Sequence, residues 1–155
     1  MLPNTEIVSQ IITETAKALI TPRFQQLNES DVREKSPGDL VTIADVEAEK
    51  RLEAELTALV PGSLVVGEEE AEDFPSVLDR INQDAPVWVL DPLDGTRNFA
   101  HGREPFAVIV AYCQGGETLM GFHSRFEIER ADWGMEYMVG PLSNEIELTV
   151  SLEVK

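Results

Sequence analysis

Val87-Trp88-Val89-Leu90 runs without a break into Asp91-Pro92-Leu93-Asp94-Gly95-Thr96. The first four residues are β-branched, aromatic and apolar, and predict a buried strand. The next six cannot prolong an ordinary one. Pro92 fixes φ and removes a backbone donor, and Gly95 permits φ > 0 or a close backbone approach. A turn there can fold two carboxylates around one hard cation, with the Leu93 carbonyl as a further oxygen ligand. Magnesium takes about six oxygens, with few carboxylates and the rest water or substrate phosphate. Thr96 can open a short helix, so that the Gly95 and Thr96 amides face an anion. The plain alternative is an Asp-Gly hairpin turn with a salt-bridged aspartate.

The flanking sequence decides between these readings. Gly67-Glu68-Glu69 ends another short apolar run, Leu64-Val65-Val66. Carboxylates at the ends of adjacent strands share one edge of a sheet, which favours a cation site. Asp45 sits at the start of a helix read from Ile43 to Val60, with Ala48, Leu52, Leu56 and Leu59 as its apolar stripe. Pro61-Gly62 stops that helix.

The remaining elements are simpler. Thr5 to Ile20 reads as an amphipathic helix, with Ile7, Ile11 and Ala18 near one face and Val8, Ile12 and Leu19 beside them. Thr21-Pro22 predicts a short second helical piece. Glu29 to Asp39, with Pro37 and Gly38, reads as a loop. Phe106 to Tyr112 and Thr118 to Phe122 predict a hairpin about Gln114-Gly115-Gly116-Glu117. Ile146 to Val154 alternates roughly, as an edge strand or a fraying tail would.

Composition excludes several classes. The 155 residues carry 12 Lys and Arg against 29 Asp and Glu, a net charge of −17. Phosphate-coating contacts need excess base, so nucleic acid is not an expected partner, nor is an anionic membrane surface. The single cysteine, Cys113, forms no intrachain disulfide and predicts a reducing compartment, with cytoplasm as the default. The two histidines, His101 and His123, are too far apart in sequence to suggest a zinc cluster. No apolar stretch approaches the ~20 residues of a membrane span.

A haloacid-dehalogenase phosphatase loop is one competing motif, but its Asp-x-Asp-Gly-Thr is one residue shorter than the Asp-x-x-Asp-Gly-Thr here. A covalent aspartyl-phosphate at Asp91 would favour it. An EF-hand fails for want of alternating acids.

Taken in order, Lys35-Ser36-Pro37-Gly38-Asp39-Leu40-Val41-Thr42, Asp45, Gly67-Glu68-Glu69 and Trp88 to Phe99 resemble the inositol monophosphatase family, over about Ile7 to Gly121. The resemblance implies an α+β fold, with layered helices on a mixed or antiparallel sheet. This is the amino-terminal portion of the sugar-phosphatase αβαβα arrangement. It implies that Glu68, Asp91 and the Leu93 carbonyl hold a first magnesium ion, and that Asp91 and Asp94 share a second position. Glu69 and Thr96 would orient an activated water, with Asp45 supporting Thr96. The Gly95 and Thr96 amides would grip phosphate. Two such metals lower the pKa of water and stabilise both attacking and leaving oxygens. Lys35 and Asp39 fall on a loop that is mobile in the family.

The implied activity is magnesium-dependent hydrolysis of a small phosphorylated metabolite. Inositol monophosphate leads, with fructose bisphosphate, adenosine bisphosphate and histidinol phosphate open. An inactive metal-binding or interaction remnant of the family is the alternative, and a homodimer stays open. Residues 1–122 read as the family-like region. Residues 123–155 read as a divergent tail, as in a truncated or frame-shifted product. Asp132-Trp133 is not equated with the family's Trp-Asp metal motif.

Overall fold

The computed structural model of the chain describes residues 2–126 and 148–154. Helices α1 (Thr5–Thr15) and α2 (Ile43–Leu59) pack over one mixed sheet. Its strands are β3 (Leu64–Gly67), β4 (Val87–Asp94), β5 (Ala107–Gln114), β6 (Glu117–Phe126) and β7 (Leu148–Val154), hydrogen-bonded in that order. Only β3 and β4 run parallel; the other pairs are antiparallel. The α+β expectation holds, and the sheet is mixed.

The core lies between the helices and one sheet face. Ala44, Ala48, Leu52 and Leu56 of α2 are fully buried against Trp88, Leu90 and Val110. These four recur at helical spacing and form one stripe. Trp88 and Tyr112 pack in a tilted pair with ring centroids 4.7 Å apart, and Phe24, Phe99 and Phe106 form a second aromatic group. Burying side chains of this size stabilises the fold by about 1.5–3 kcal/mol each.

Three local readings change. Helix α1 buries Val8, Ile11, Ile12 and Thr15, while Ile7 faces out. It continues into a five-residue π segment, Ala16–Ile20, which rotates the stripe and leaves Ala18 exposed. Thr21–Arg23 is the short helical piece foreseen, as a 3₁₀ turn. The segment read as a loop from Glu29 to Asp39 contains an antiparallel hairpin, β1 (Val32–Ser36) and β2 (Asp39–Thr42). Gly38 takes φ +81° at its tip. Its charged, two-residue alternation hid the strands.

The Asp91–Asp94 segment is a bulged strand end. Asp91 pairs with Ile109 and Asp94 with Ala107, so β4 spends one extra residue there. Pro92 falls inside the bulge, where a missing donor is tolerated. The hairpin about Gly115-Gly116 forms as expected, and β6 continues past residue 122 to Phe126. Strand β7 makes the alternating segment an edge strand beside β6 from Leu148 to Val154. Asp132-Trp133 lies outside the described residues.

Candidate metal centre

Two strand ends and one helix start build the site. The last parallel pair of β3 and β4 is Gly67 with Leu90. The next residues along each strand are Glu68, which opens helix α3 (Glu68–Asp73), and Asp91. Their carboxyl groups lie close enough to shift one another's titration. Two like charges at this range cannot both ionise freely. The Glu68 carboxyl is pushed up to about 7, first by desolvation at its end, although the residue as a whole is exposed, and then by Asp91. Burial, and then the Asp94 charge, also raise Asp91, with the contact from Glu68 pulling the other way. A cation between the two groups would satisfy both.

Thr96 and Asp45 form the second part. Thr42 caps α2, its hydroxyl accepting from the Ala44 amide at 3.2 Å. Asp45 answers from the first turn, accepting the Thr42 amide at 2.8 Å and the Thr42 hydroxyl on the same oxygen. This is a capping box, with Asp in place of Glu. The other Asp45 oxygen lies 2.8 Å from the Thr96 hydroxyl, which is also 2.8 Å from the Leu93 carbonyl. One hydroxyl proton thus faces two acceptors. Burial raises the Asp45 carboxyl, against these hydrogen bonds.

Gly95 makes the bend possible. It takes φ +87° as N-cap of helix α4 (Thr96–Ala100), and its carbonyl accepts the Phe99 amide. A Cβ there would sit 2.8 Å from the Pro105 carbonyl. The first amides of α4 have no intrahelical acceptor, which leaves the end of β4 with outward donors.

Lys35 reaches the site from the β1–β2 hairpin. Its ammonium lies 3.3 Å from Glu69 and 2.7 Å from Glu72. Burial works against that charge, but Glu72 and Glu69 outweigh it and raise the ammonium above its ordinary value. Glu69 itself is pushed up to about 7 by burial, with Lys35 pulling the other way.

Asp45, Glu68, Glu69, Asp91, Leu93, Gly95 and Thr96 therefore occupy one neighbourhood. Asp94 is exposed and reaches Asp91 through its charge. Among the described residues no three His, Cys, Asp or Glu side chains close on one point as a finished metal cage. The donors are instead a close pair of carboxyl groups, with a backbone carbonyl two residues further along β4. Such a set fits a hard divalent ion that keeps several waters. His101 is exposed, with Nδ1 at 2.6 Å from the Arg97 carbonyl, and stands apart from this set. Sequence reasoning missed Glu49 and Arg80, which brace α3. Glu49 follows Asp45 by one helical turn, but its partners are backbone amides, which leave no signal in the sequence.

No described helix is long and apolar enough to cross a membrane. The chain is 37% identical over 118 residues to the inositol-1-monophosphatase of Bacillus subtilis, covering 75% of this chain and 41% of that one. It is 41% identical over 91 residues to the inositol-1-monophosphatase of Mycobacterium bovis, covering 58% of this chain and 31% of that one. The extragenic suppressor protein suhB of Bartonella henselae superposes with a TM-score of 0.60 at 29% identity, over 78% of this chain and 46% of that one. The chain thus spans less than half the length of these relatives. The family assignment sets aside the haloacid-dehalogenase alternative. A sequence model of the inositol monophosphatase family matches residues 3–135, and the chain belongs to that family.

Proposed function

We propose that the site serves magnesium-dependent hydrolysis of a small phosphomonoester, with inositol monophosphate as the leading substrate. The observation that carries the reading is the Glu68–Asp91 carboxyl pair, held at the ends of two parallel strands beside the Leu93 carbonyl. Glu68, Asp91 and the Leu93 carbonyl would hold one ion, and Asp91 with Asp94 would contribute to a second position. When bound, magnesium supplies Lewis-acid neutralisation of phosphate charge and a more acidic water.

The chain's own groups do the rest. Glu69 takes a proton from the attacking water, and a carboxyl near 7 suits a base working at neutral pH. Thr96 orients that water through its hydroxyl, and Asp45 fixes the hydroxyl. The Gly95 and Thr96 amides receive the phosphate at the start of α4. The buried free thiol of Cys113 is in keeping with a cytoplasmic location.

A second reading keeps the cation and drops turnover. It is favoured by the lack of a closed three-acid cage among the described residues. Phosphate release from inositol 1-phosphate with and without magnesium separates the two. The first reading expects turnover above background, lost in Asp91→Ala and in Asp94→Ala. Full activity in both variants would sink it. Magnesium binding without turnover selects the second reading.

A further inference from the structure

Helix α3 carries Glu68 and Glu69 yet has little to hold it. It is six residues long, well below the length at which a helix is stable alone. Its N-cap is Gly67, which offers no side chain to its first amides. That role is taken from another helix. Glu49 of α2 accepts the Glu69 amide at 2.9 Å on one oxygen and the Glu70 amide at 3.2 Å on the other.

Gly67 is part of the same arrangement. A Cβ at that position would overlap the Glu49 carboxylate well inside van der Waals contact. The missing side chain therefore lets the carboxylate reach the amides. A second brace acts from the far side. Arg80 donates to the Val65 carbonyl at 2.6 Å and grips Glu70 with two bonds of 2.9 and 3.0 Å.

Placing Glu49 there has a cost. Burial raises its carboxyl, and Glu68 and Glu70 add repulsion. Its side-chain hydrogen bonds go to backbone amides and not to Asp91, Asp45 or Thr96. A costly charge spent on two amides of the segment that aims Glu68 and Glu69 fixes geometry there.

We infer that Glu49 is a positioning residue, which sets the Glu68–Glu69 segment at the end of β3 through the Glu69 and Glu70 amides. Its consequence for cation affinity rests on the reading of Glu68 and Asp91 as ligands. Partners of this kind, one step removed from a metal, are typically worth 10–100-fold in affinity.

The test uses the full chain with Mn²⁺ alone as the probe, titrated by electron paramagnetic resonance at a temperature well below each variant's melting point. Glu49→Ala and Glu49→Asp should each weaken Mn²⁺ binding by about tenfold or more, because neither side chain reaches both amides. Glu49→Gln, which keeps one acceptor, should fall between them and wild type. Gly67→Ala retains Glu49 but displaces it, and should match Glu49→Ala. Wild-type affinity in Glu49→Asp together with loss in Glu49→Gln would show a contribution of charge alone and overturn the assignment. Unchanged affinity in every variant would also overturn it. Hydrogen exchange at the Glu69 and Glu70 amides, measured without metal, reads the clamp directly. Slow exchange in wild type and fast exchange in Glu49→Ala supports it, even if wild type binds no Mn²⁺ and the cation reading fails. Equal exchange in both contradicts it.

Discussion

Glu68 and Asp91 meet because each is the first residue beyond the Gly67–Leu90 pair of two parallel strands. Parallel neighbours end on the same edge, so 22 intervening residues of chain are spanned by one step across the sheet. Asp91 makes Glu68 harder to ionise, burial and Asp94 do the same to Asp91, and the cluster is a stability cost until a positive charge arrives.

Removing one member should therefore stabilise the metal-free chain. Glu68→Gln at pH 8 is expected to raise the melting temperature by about 2–4 °C, equivalent to roughly 1 kcal/mol after discounting for the exposure of Glu68. The same variant should lose most of the stabilisation that magnesium gives wild type. Differential scanning calorimetry with and without magnesium checks both. A lower metal-free melting temperature in Glu68→Gln would contradict the repulsion.

The pH dependence follows with a definite sign. Glu68 and Glu69 rise from 4.5 to about 7 on folding. The folded chain binds more protons than the unfolded chain across that window, so stability falls as pH rises through it. Lys35, raised in its turn, keeps its contribution until well above the window. The metal-free melting temperature should be about 5 °C higher at pH 5.5 than at pH 8, from roughly 2 kcal/mol. Magnesium should reduce the difference. A melting temperature that climbs from pH 5.5 to 8 without metal would be the opposite result.

Asp45 and Thr96 are coupled through one hydroxyl. Thr96→Val leaves the buried Asp45 oxygen without that partner, at a cost of about 1–3 kcal/mol. Asp45→Ala strips both Thr96 and the capping box of α2, and should cost more. A double-mutant cycle by urea unfolding should give a non-additive term of at least about 0.5 kcal/mol, and strict additivity would mean the contact carries no energy.

Gly95→Ala should destabilise the chain by about 2–4 kcal/mol. It adds a left-handed φ penalty to a clash with the Pro105 carbonyl. Gly38→Ala shares the positive φ but meets nothing within 4 Å, and should cost less. Equal urea midpoints for the two variants would remove the close-approach argument.

Much of the site was legible because its parts are local in sequence. Asp91 to Thr96 announces a change of chain direction through Pro92 and Gly95, although β4 runs on to Asp94 as a bulged end where a turn was expected, and α2 shows its stripe. The β1–β2 hairpin was not legible, since Arg33, Glu34 and Lys35 give no apolar alternation to read. Ala18 was misplaced because a π segment shifts the buried face after Thr15, and nothing in the sequence marks that shift. The work of Glu49 was hidden for a different reason. Its partners are backbone amides 20 and 21 residues away, and backbone groups carry no sequence signature.

We propose above all that the Glu68–Asp91 pair is a cation site. Isothermal titration of the 155-residue chain with magnesium at pH 7.5 tests it most directly. The prediction is saturable binding accompanied by proton release, lost in Asp91→Asn with the fold intact by circular dichroism. Absence of binding in wild type, or undiminished binding in folded Asp91→Asn, would contradict it.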